Sequence, residues 1–531
     1  MKPPRRIPTK QELERLQRLY KTDEKIAERM GDVPAYLVAY WRRKKNVPAF
    51  SAPKFSDKEI RELWERFGDD YRCGAEIGLS KAAFYSWRRR YKILDKPAFL
   101  KLEQMELLFP GREPGPKRLT DYGKRPAIHK ALWLKSPAQN IRAGESVTIA
   151  PDVVVLERHA AQTIADTKGA DALRGAARIA VGGPERLTDP VSTWLRRQQN
   201  RIVTPLALGS VWERLARLGH LAPGRVIACE PGAERFVGAW GALGIPLSST
   251  AIGAALHSGQ LSLSAPHVHR VTLTGKRYRA ISATDITLHL CAYIDGDTLA
   301  ESALEFHGPS LNNFTIQERE ALCGAGAFIS IVTAITPFDI VTKRAVADRD
   351  DGTFHALTPD KDAEFAGLYQ LNIEQAEPMV ALRQKANPLG AAKVSFHPVS
   401  RMSQTPVAVI FIGGAPGGSF NDLVSVAEVL RGRTVAEDVT LFISPISREA
   451  LTQALKRGIV RQLVDAGATL LPVGWDSADL EAFGVGDIQR VMTTNFEPAE
   501  LGGGRGERLY VSPITAAASA VTGLVTDPRG Y

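Results

Sequence analysis

No run of about 18 apolar residues occurs in this 531-residue chain, so no segment is predicted to span a bilayer. Cysteine is scarce: only Cys73, Cys229, Cys291 and Cys323 occur, and none stands in a C-x-x-C pair. That spacing speaks against a disulfide framework and against a zinc ribbon. His267 and His269 place two imidazoles on one strand face, but no third ligand accompanies them, so no metal site is expected. The N-terminus, Met1 to Arg6, is basic and soon followed by Gln11-Glu12-Leu13-Glu14, so no secretory leader is expected and a cytoplasmic setting is the simplest reading.

What is present is a globular composition, 44% hydrophobic and 24% charged, over a length that suits two to four domains. The net charge of +10 is unevenly spread. Residues 1–130 hold about 31 Lys and Arg against about 18 Asp and Glu, whereas the remainder is close to neutral. A basic module thus precedes a near-neutral body.

The basic module is an internal duplication with a spacing of about 46 residues. Each unit has an amphipathic helix (Leu13, Leu16, Leu19; then Ile60, Leu63, Phe67), a short second helix and a tight turn. A third helix follows, ending in tryptophan and a basic cluster. The pattern predicts tandem helix-turn-helix units in residues 1–95, with Trp41 and Trp87 anchoring the cores. Arg42, Arg43, Lys44, Lys45, Arg88, Arg89 and Arg90 would then meet phosphates, and Ser80 and Lys81 would lie at the start of the last helix. DNA is the expected partner, with a protein-docking bundle as the alternative. Prolines from Pro97 to Pro137 suggest a linker over residues 96–142.

From residue 143 onward short β-rich runs alternate with helices, which predicts an α/β class with largely parallel sheets. Expected strands include Ser146–Ile149, Arg178–Val181, Val407–Ile412 and Val439–Ile443, and one helix is expected from Ser447 to Ala466. In Val407 to Gly432 a buried strand enters Gly413-Gly414-Ala415-Pro416-Gly417-Gly418 and then a helix, a geometry that offers backbone N–H groups to an anion.

Several segments of the body resemble, in order, the aconitase family, and in particular large subunits of 3-isopropylmalate dehydratase. They are Ala143-Gly-Glu-Ser-Val, Gly238-Ala-Trp-Gly-Ala-Leu-Gly-Ile, Ala303-Leu-Glu-Phe-His-Gly, Glu318-Arg-Glu-Ala-Leu-Cys, and Val511-Ser-Pro-Ile-Thr-Ala-Ala-Ala. The resemblance implies three α/β/α subdomains, the first two over 143–400 and the third over 401–531. It also implies a separate small subunit to complete the active site.

Family members hold a [4Fe–4S] cluster by three thiolates. The resemblance sets those positions against Gly414–Ser419 and Trp475-Asp476-Ser477-Ala478, which have none. No cofactor is therefore expected, and the fold is expected to be degenerate at its cluster and substrate sites. The residues that still match are Glu305, a candidate catalytic group, and Ser447, Arg448, Arg505 and Ser512. Together with Gly414, Gly417 and Gly418 these form a candidate site for a small carboxylate.

The leading expectation is accordingly a DNA-binding regulatory or carboxylate-sensing protein built on this fold. The alternative is a hydro-lyase or isomerase acting on a hydroxy acid through a cluster-free site, using Glu230, Glu234, Glu305 or Arg235. Whether the chain is an enzyme stays open at this point.

Overall fold

The computed structural model describes residues 7–31, 33–48, 55–67, 70–93, 124–138, 140–156, 178–181, 211–294, 299–347, 354–384, 394–414, 416–485, 490–496 and 506–531. The chain divides into two compact units, Met1–Gly115 and Pro116–Tyr531.

The first unit contains six helices in two sets of three: Lys10–Tyr20, Asp23–Arg29 and Ala35–Lys44, then Asp57–Phe67, Asp70–Glu76 and Lys81–Arg90. The duplication extends to backbone detail. Gly31 and Gly78 take positive φ (67° and 69°) before each third helix, and Asn46 and Lys92 take 51° and 53° after it. The cores match as well, with Leu13, Ile26, Val38 and Trp41 buried in the first set and Ile60, Cys73 and Phe84 in the second. Trp87 departs from expectation. It is only half-buried, between Phe55 and Tyr91, because Trp64 enters that core from the fourth helix.

The body is layered α/β, as its alternating pattern predicts. One sheet runs Arg178–Val181, Val153–Leu156, Val226–Cys229, Leu243–Pro246, with every pairing parallel. A second runs Gly367–Asn372, His267–Thr274, Ser302–His307, Ile331–Ile335, again all parallel. The third has seven strands, in the order Val394–Pro398, Met379–Arg383, Glu507–Tyr510, Arg490–Thr493, Val409–Gly413, Thr440–Ser444, Thr469–Leu470. Met379–Arg383 is antiparallel to both neighbours, and the remaining six strands all run in one direction. Near-continuous apolar strands such as Val-Val-Val-Leu and Val-Ile-Phe-Ile fit sheets covered on both faces.

Three boundaries differ from the sequence reading. Part of the expected linker is structured: Ala127–Lys135 is a helix with Ile128, Ala131 and Leu132 in the body's core, and Pro126 and Pro137 bracket it rather than break it. The third sheet also takes two strands from before residue 401. The helix expected from Ser447 to Ala466 is two helices, Arg448–Lys456 and Ile459–Asp465, because Gly458 stands at φ 70° between them. Among the described residues no helix is long and apolar enough to cross a membrane.

Candidate active site

In the seven-stranded sheet the parallel strands Thr440–Ser444, Val409–Gly413, Arg490–Thr493 and Glu507–Tyr510 all release their chains at one edge. Their continuations are Ile446-Ser447, Gly414 to Ser419, Thr494-Asn495 and Ser512. The crevice outside the carboxyl ends of parallel strands is where open α/β sheets bind ligands. A cavity of about 280 Å³ lies here, walled by Ser419, Phe420, Ile446 and Ser447 on this side. Trp212, Glu213, Arg217, Phe236, Trp240 and Glu320 line it from helices Val211–Arg217, Glu234–Gly238 and Ile316–Cys323 and from the turn at Trp240.

Three carboxyl groups line this cavity, Glu213, Glu320 and Glu449, and the first two stand in different surroundings. Burial pushes the Glu320 carboxyl up to about 8; Arg235 opposes the shift, while Asp422 and Glu213 add to it. Part of its surface is open to the cavity. Burial raises Glu213, the Ser447 hydroxyl opposes the shift, Glu449 adds to it through its charge and a hydrogen bond, and Arg217 favours the charged form. Trp212 stacks on Phe236 at 5.5 Å, and its buried indole N–H has no acceptor among the described residues.

The glycine turn is already filled by the chain itself. The Asp422 carboxylate accepts from the N–H groups of Gly417 and Ser419 (3.3 and 3.2 Å) and from the Ser419 hydroxyl at 2.6 Å. Gly418 N–H donates to the Gly414 carbonyl. The expected anion cradle is therefore occupied by the capping box of helix Phe420–Leu430. Close packing explains the glycines: a Cβ on Gly417 would fall on Thr494 Oγ1, and one on Gly414 would lie 2.5 Å from Asn495 Oδ1.

The other candidate residues disperse. Ser447 caps helix Arg448–Lys456 and reaches the cavity, whereas Arg448 is exposed beside it. Ser512 caps the last helix, Pro513–Thr522, and bonds to Asp285, whose carboxyl burial raises to about 6. Arg505 lies outside the described residues. Glu305 is fully buried, accepting from Ile128 N–H at 2.8 Å and bonding His307 Nε2 at 3.2 Å. It thereby caps helix Ala127–Lys135, which has no capping side chain of its own, and it is not among the residues lining the cavity. Glu230, Glu234 and Arg235 are buried; Glu234 accepts from Gly232 N–H at 2.7 Å and Arg235 donates to the Gly232 carbonyl.

Sequence reasoning missed Glu320, Glu213 and Arg217. Only the Ser419-x-x-Asp422 spacing, a capping-box pattern, was available beforehand to show that the glycine loop was spoken for.

In the first unit, Arg42 and Arg88 are internal struts rather than phosphate contacts. Each makes two bonds to an aspartate, Arg42 to Asp23 at 3.0 and 2.9 Å and Arg88 to Asp70 at 2.9 and 3.1 Å. Each also donates to a carbonyl five residues on. Ser80 is used as a helix cap, while Arg43, Lys44, Lys81, Arg89 and Arg90 are exposed.

The body is by class a layered α/β fold with a carboxyl-lined cavity at its strand ends. The model of the aconitase family (aconitate hydratase) matches residues 197–523, and the chain belongs to that family. It is 32% identical over 321 residues to 3-isopropylmalate dehydratase large subunit 1 of Methanopyrus kandleri, covering 60% of this chain and 75% of that one. It is 28% identical over 351 residues to the probable methanogen homoaconitase large subunit of Methanosarcina mazei, covering 65% and 86%. The crystal structure of Thermococcus kodakaraensis aconitase X in its holo-form aligns with a TM-score of 0.39 at 13% identity, over 71% of this chain and 90% of that one.

These findings overturn two expectations. A DNA-binding regulator or sensor gives way to the hydro-lyase alternative, since the relatives are named as dehydratase and homoaconitase subunits. DNA has no support as a partner. The expectation of no cofactor is likewise withdrawn, because membership carries the family's [4Fe–4S] cluster as the expectation for this chain. The donors at hand do not fit that group by themselves: residues 413–419 supply carbonyls, amides and a hydroxyl, and all four thiols are buried. No step below is routed through it.

Proposed function

We propose that the body is the large-subunit component of a hydro-lyase that removes water from, or adds it to, a small hydroxy acid, working with a separate small subunit. The observation that carries this reading is the cavity at the strand ends, where Glu213 and Glu320 stand beside Arg217 and the Ser447 hydroxyl. Family membership and relatives named as large subunits support the reaction class and the partner.

Removing water from a hydroxy acid needs a base for the proton on the carbon beside a carboxylate and an acid for the departing hydroxyl. It also needs a cation for the carboxylate, which Arg217 at the exposed side of the cavity can supply. Trp212, Phe236, Trp240 and Phe420 supply apolar walls for the substrate's carbon skeleton. Ser419, Ile446 and Ser447 line the opposite wall.

The test is co-production with a small-subunit-type protein from the same genome. A panel of 2- and 3-hydroxy dicarboxylic acids is then followed by proton NMR for the unsaturated acid. Water loss that requires both chains is the expected result. A chain that neither joins such a subunit nor changes any acid would refute the proposal.

A further inference from the structure

Glu320 and Glu213 sit on separate helices yet share one cavity, where Glu213 bonds to the Ser447 hydroxyl and to Glu449. Glu320 follows Arg319, whose guanidinium is committed to Asp339 at 2.5 and 3.1 Å and to the carbonyls of Leu311 and Phe314. That anchor fixes the rotation of helix Ile316–Cys323 and turns Glu320 toward the cavity. Glu213 is positioned by Trp212 beside it, stacked on Phe236. By contrast, the other buried acids nearby are consumed: Asp422 caps its helix, Glu305 caps another, and Glu234 holds Gly232 N–H.

Resting on the hydro-lyase reading, we infer that Glu320 and Glu213 are the acid and base of the reaction, facing the substrate from two sides of the cavity. The Glu213 carboxylate takes the proton from the carbon next to the substrate carboxylate. The electron pair of that C–H bond becomes the new carbon–carbon π bond. The carbon–oxygen bond breaks, and the Glu320 carboxylic acid protonates the leaving hydroxyl, so one water departs with one unsaturated acid. Glu213 is then protonated and Glu320 ionised, and a proton passed between them through the cavity water restores the pair. No oxidant or reductant enters.

The surroundings agree with this division. Glu320 has only opposing Arg235 to favour its charge, against burial and two neighbouring carboxyls, so it holds its proton at neutral pH. Burial and the neighbouring Glu449 raise the basicity of Glu213, which suits proton abstraction, while the Ser447 hydroxyl and Arg217 favour its anion.

The experiment uses the complex of full chain and small subunit, with wild type, E320Q, E320D and E213Q. Wild-type kcat for dehydration should fall as pH rises through about 8. E320Q should lose roughly 10²–10⁴ in kcat with little change in KM and should lose that alkaline limb, E320D restoring part of both. E213Q should stop deuterium exchange from solvent into the carbon beside the carboxylate. A readout independent of turnover is the infrared carbonyl band of a protonated carboxyl, which should vanish between pH 6 and 9 in wild type and be missing from E320Q. An active wild type whose E320Q and E213Q variants keep their kcat and pH profile refutes the pair but leaves the hydro-lyase reading standing. A wild type inert toward every acid removes both.

Discussion

Glutamine at position 320 keeps the outline of a protonated glutamic acid and removes the obligation to ionise. Glu320 in the folded chain holds its proton up to about pH 8, whereas an unfolded glutamate releases it near 4.3. Between those values the folded state binds the extra proton, so raising the pH costs stability at about 1.36 kcal/mol per pH unit, and nothing further is lost above the folded value. Taken at face value, the cost is about 1 kcal/mol at pH 5 and about 3.7 kcal/mol at pH 7. Glu320 borders a cavity that water can enter, and such screening brings the figure at pH 7 down to about 2 kcal/mol. E320Q should therefore be more stable than wild type, by little at pH 5, by about 2 kcal/mol at pH 7 and by about 2.5 kcal/mol above pH 8. Urea unfolding at pH 5, 7 and 8.5, followed by the fluorescence of the body's tryptophans, measures the gap. A gap that ignores pH, or an E320Q variant that is the weaker protein at pH 8.5, would show that the carboxyl is not held neutral and would refute the reasoning.

Three further outcomes are expected. D339N leaves the buried Arg319 fork unpaired and should cost about 3 kcal/mol at pH 6. Burial raises Asp339, but the bonds from Arg319 and Thr342 outweigh it and hold the carboxyl below its ordinary value, so the benefit is present above about pH 4 and is lost on further acidification. The difference between D339N and wild type in denaturant should narrow there. Removing Arg88 by R88A strands Asp70 and the Ile93 carbonyl; hydrogen exchange should rise by roughly thirty-fold in Lys81–Arg90 and stay unchanged in Ala35–Lys44. G417A, at φ 122° with its Cβ on Thr494, should cost more than about 2 kcal/mol in thermal or denaturant unfolding, whereas G432A, at φ 71° in open space, should cost about 1.

Where a local pattern decided the structure, the sequence could be read. Ser146–Ile149 and Arg178–Val181 end where their β-branched runs end, and the strand–glycine–helix segment after Val409 follows from apolar residues meeting flexible ones. The duplicated helices were visible from leucine spacing and from Gly31 and Gly78. What escaped was decided by partners distant in the chain. Arg42 and Arg88 look like the start of an exposed basic run until Asp23 and Asp70, some eighteen residues earlier, fold against them. Glu320 reads as one more charge in Gln317-Glu318-Arg319-Glu320, a solvated helix face. It becomes a cavity group only because the elements bearing Phe236 and Phe420 close over it. Glu305 carried a family match, yet the amide it holds belongs to a helix 177 residues away. The glycine loop misled for the opposite reason: its occupant, Asp422, lies only a few residues on, in the helix that the loop opens.

Proton chemistry at the cavity carboxyls is central to the proposed hydro-lyase reading of this aconitase-family chain. Solvent deuterium incorporation into a hydroxy dicarboxylic acid, measured by NMR with the chain and its small subunit, tests that chemistry most directly. The prediction is exchange at the carbon beside the carboxylate, abolished in the E213Q/E320Q double variant while its fold is retained. Exchange that proceeds at the wild-type rate in the double variant would contradict it.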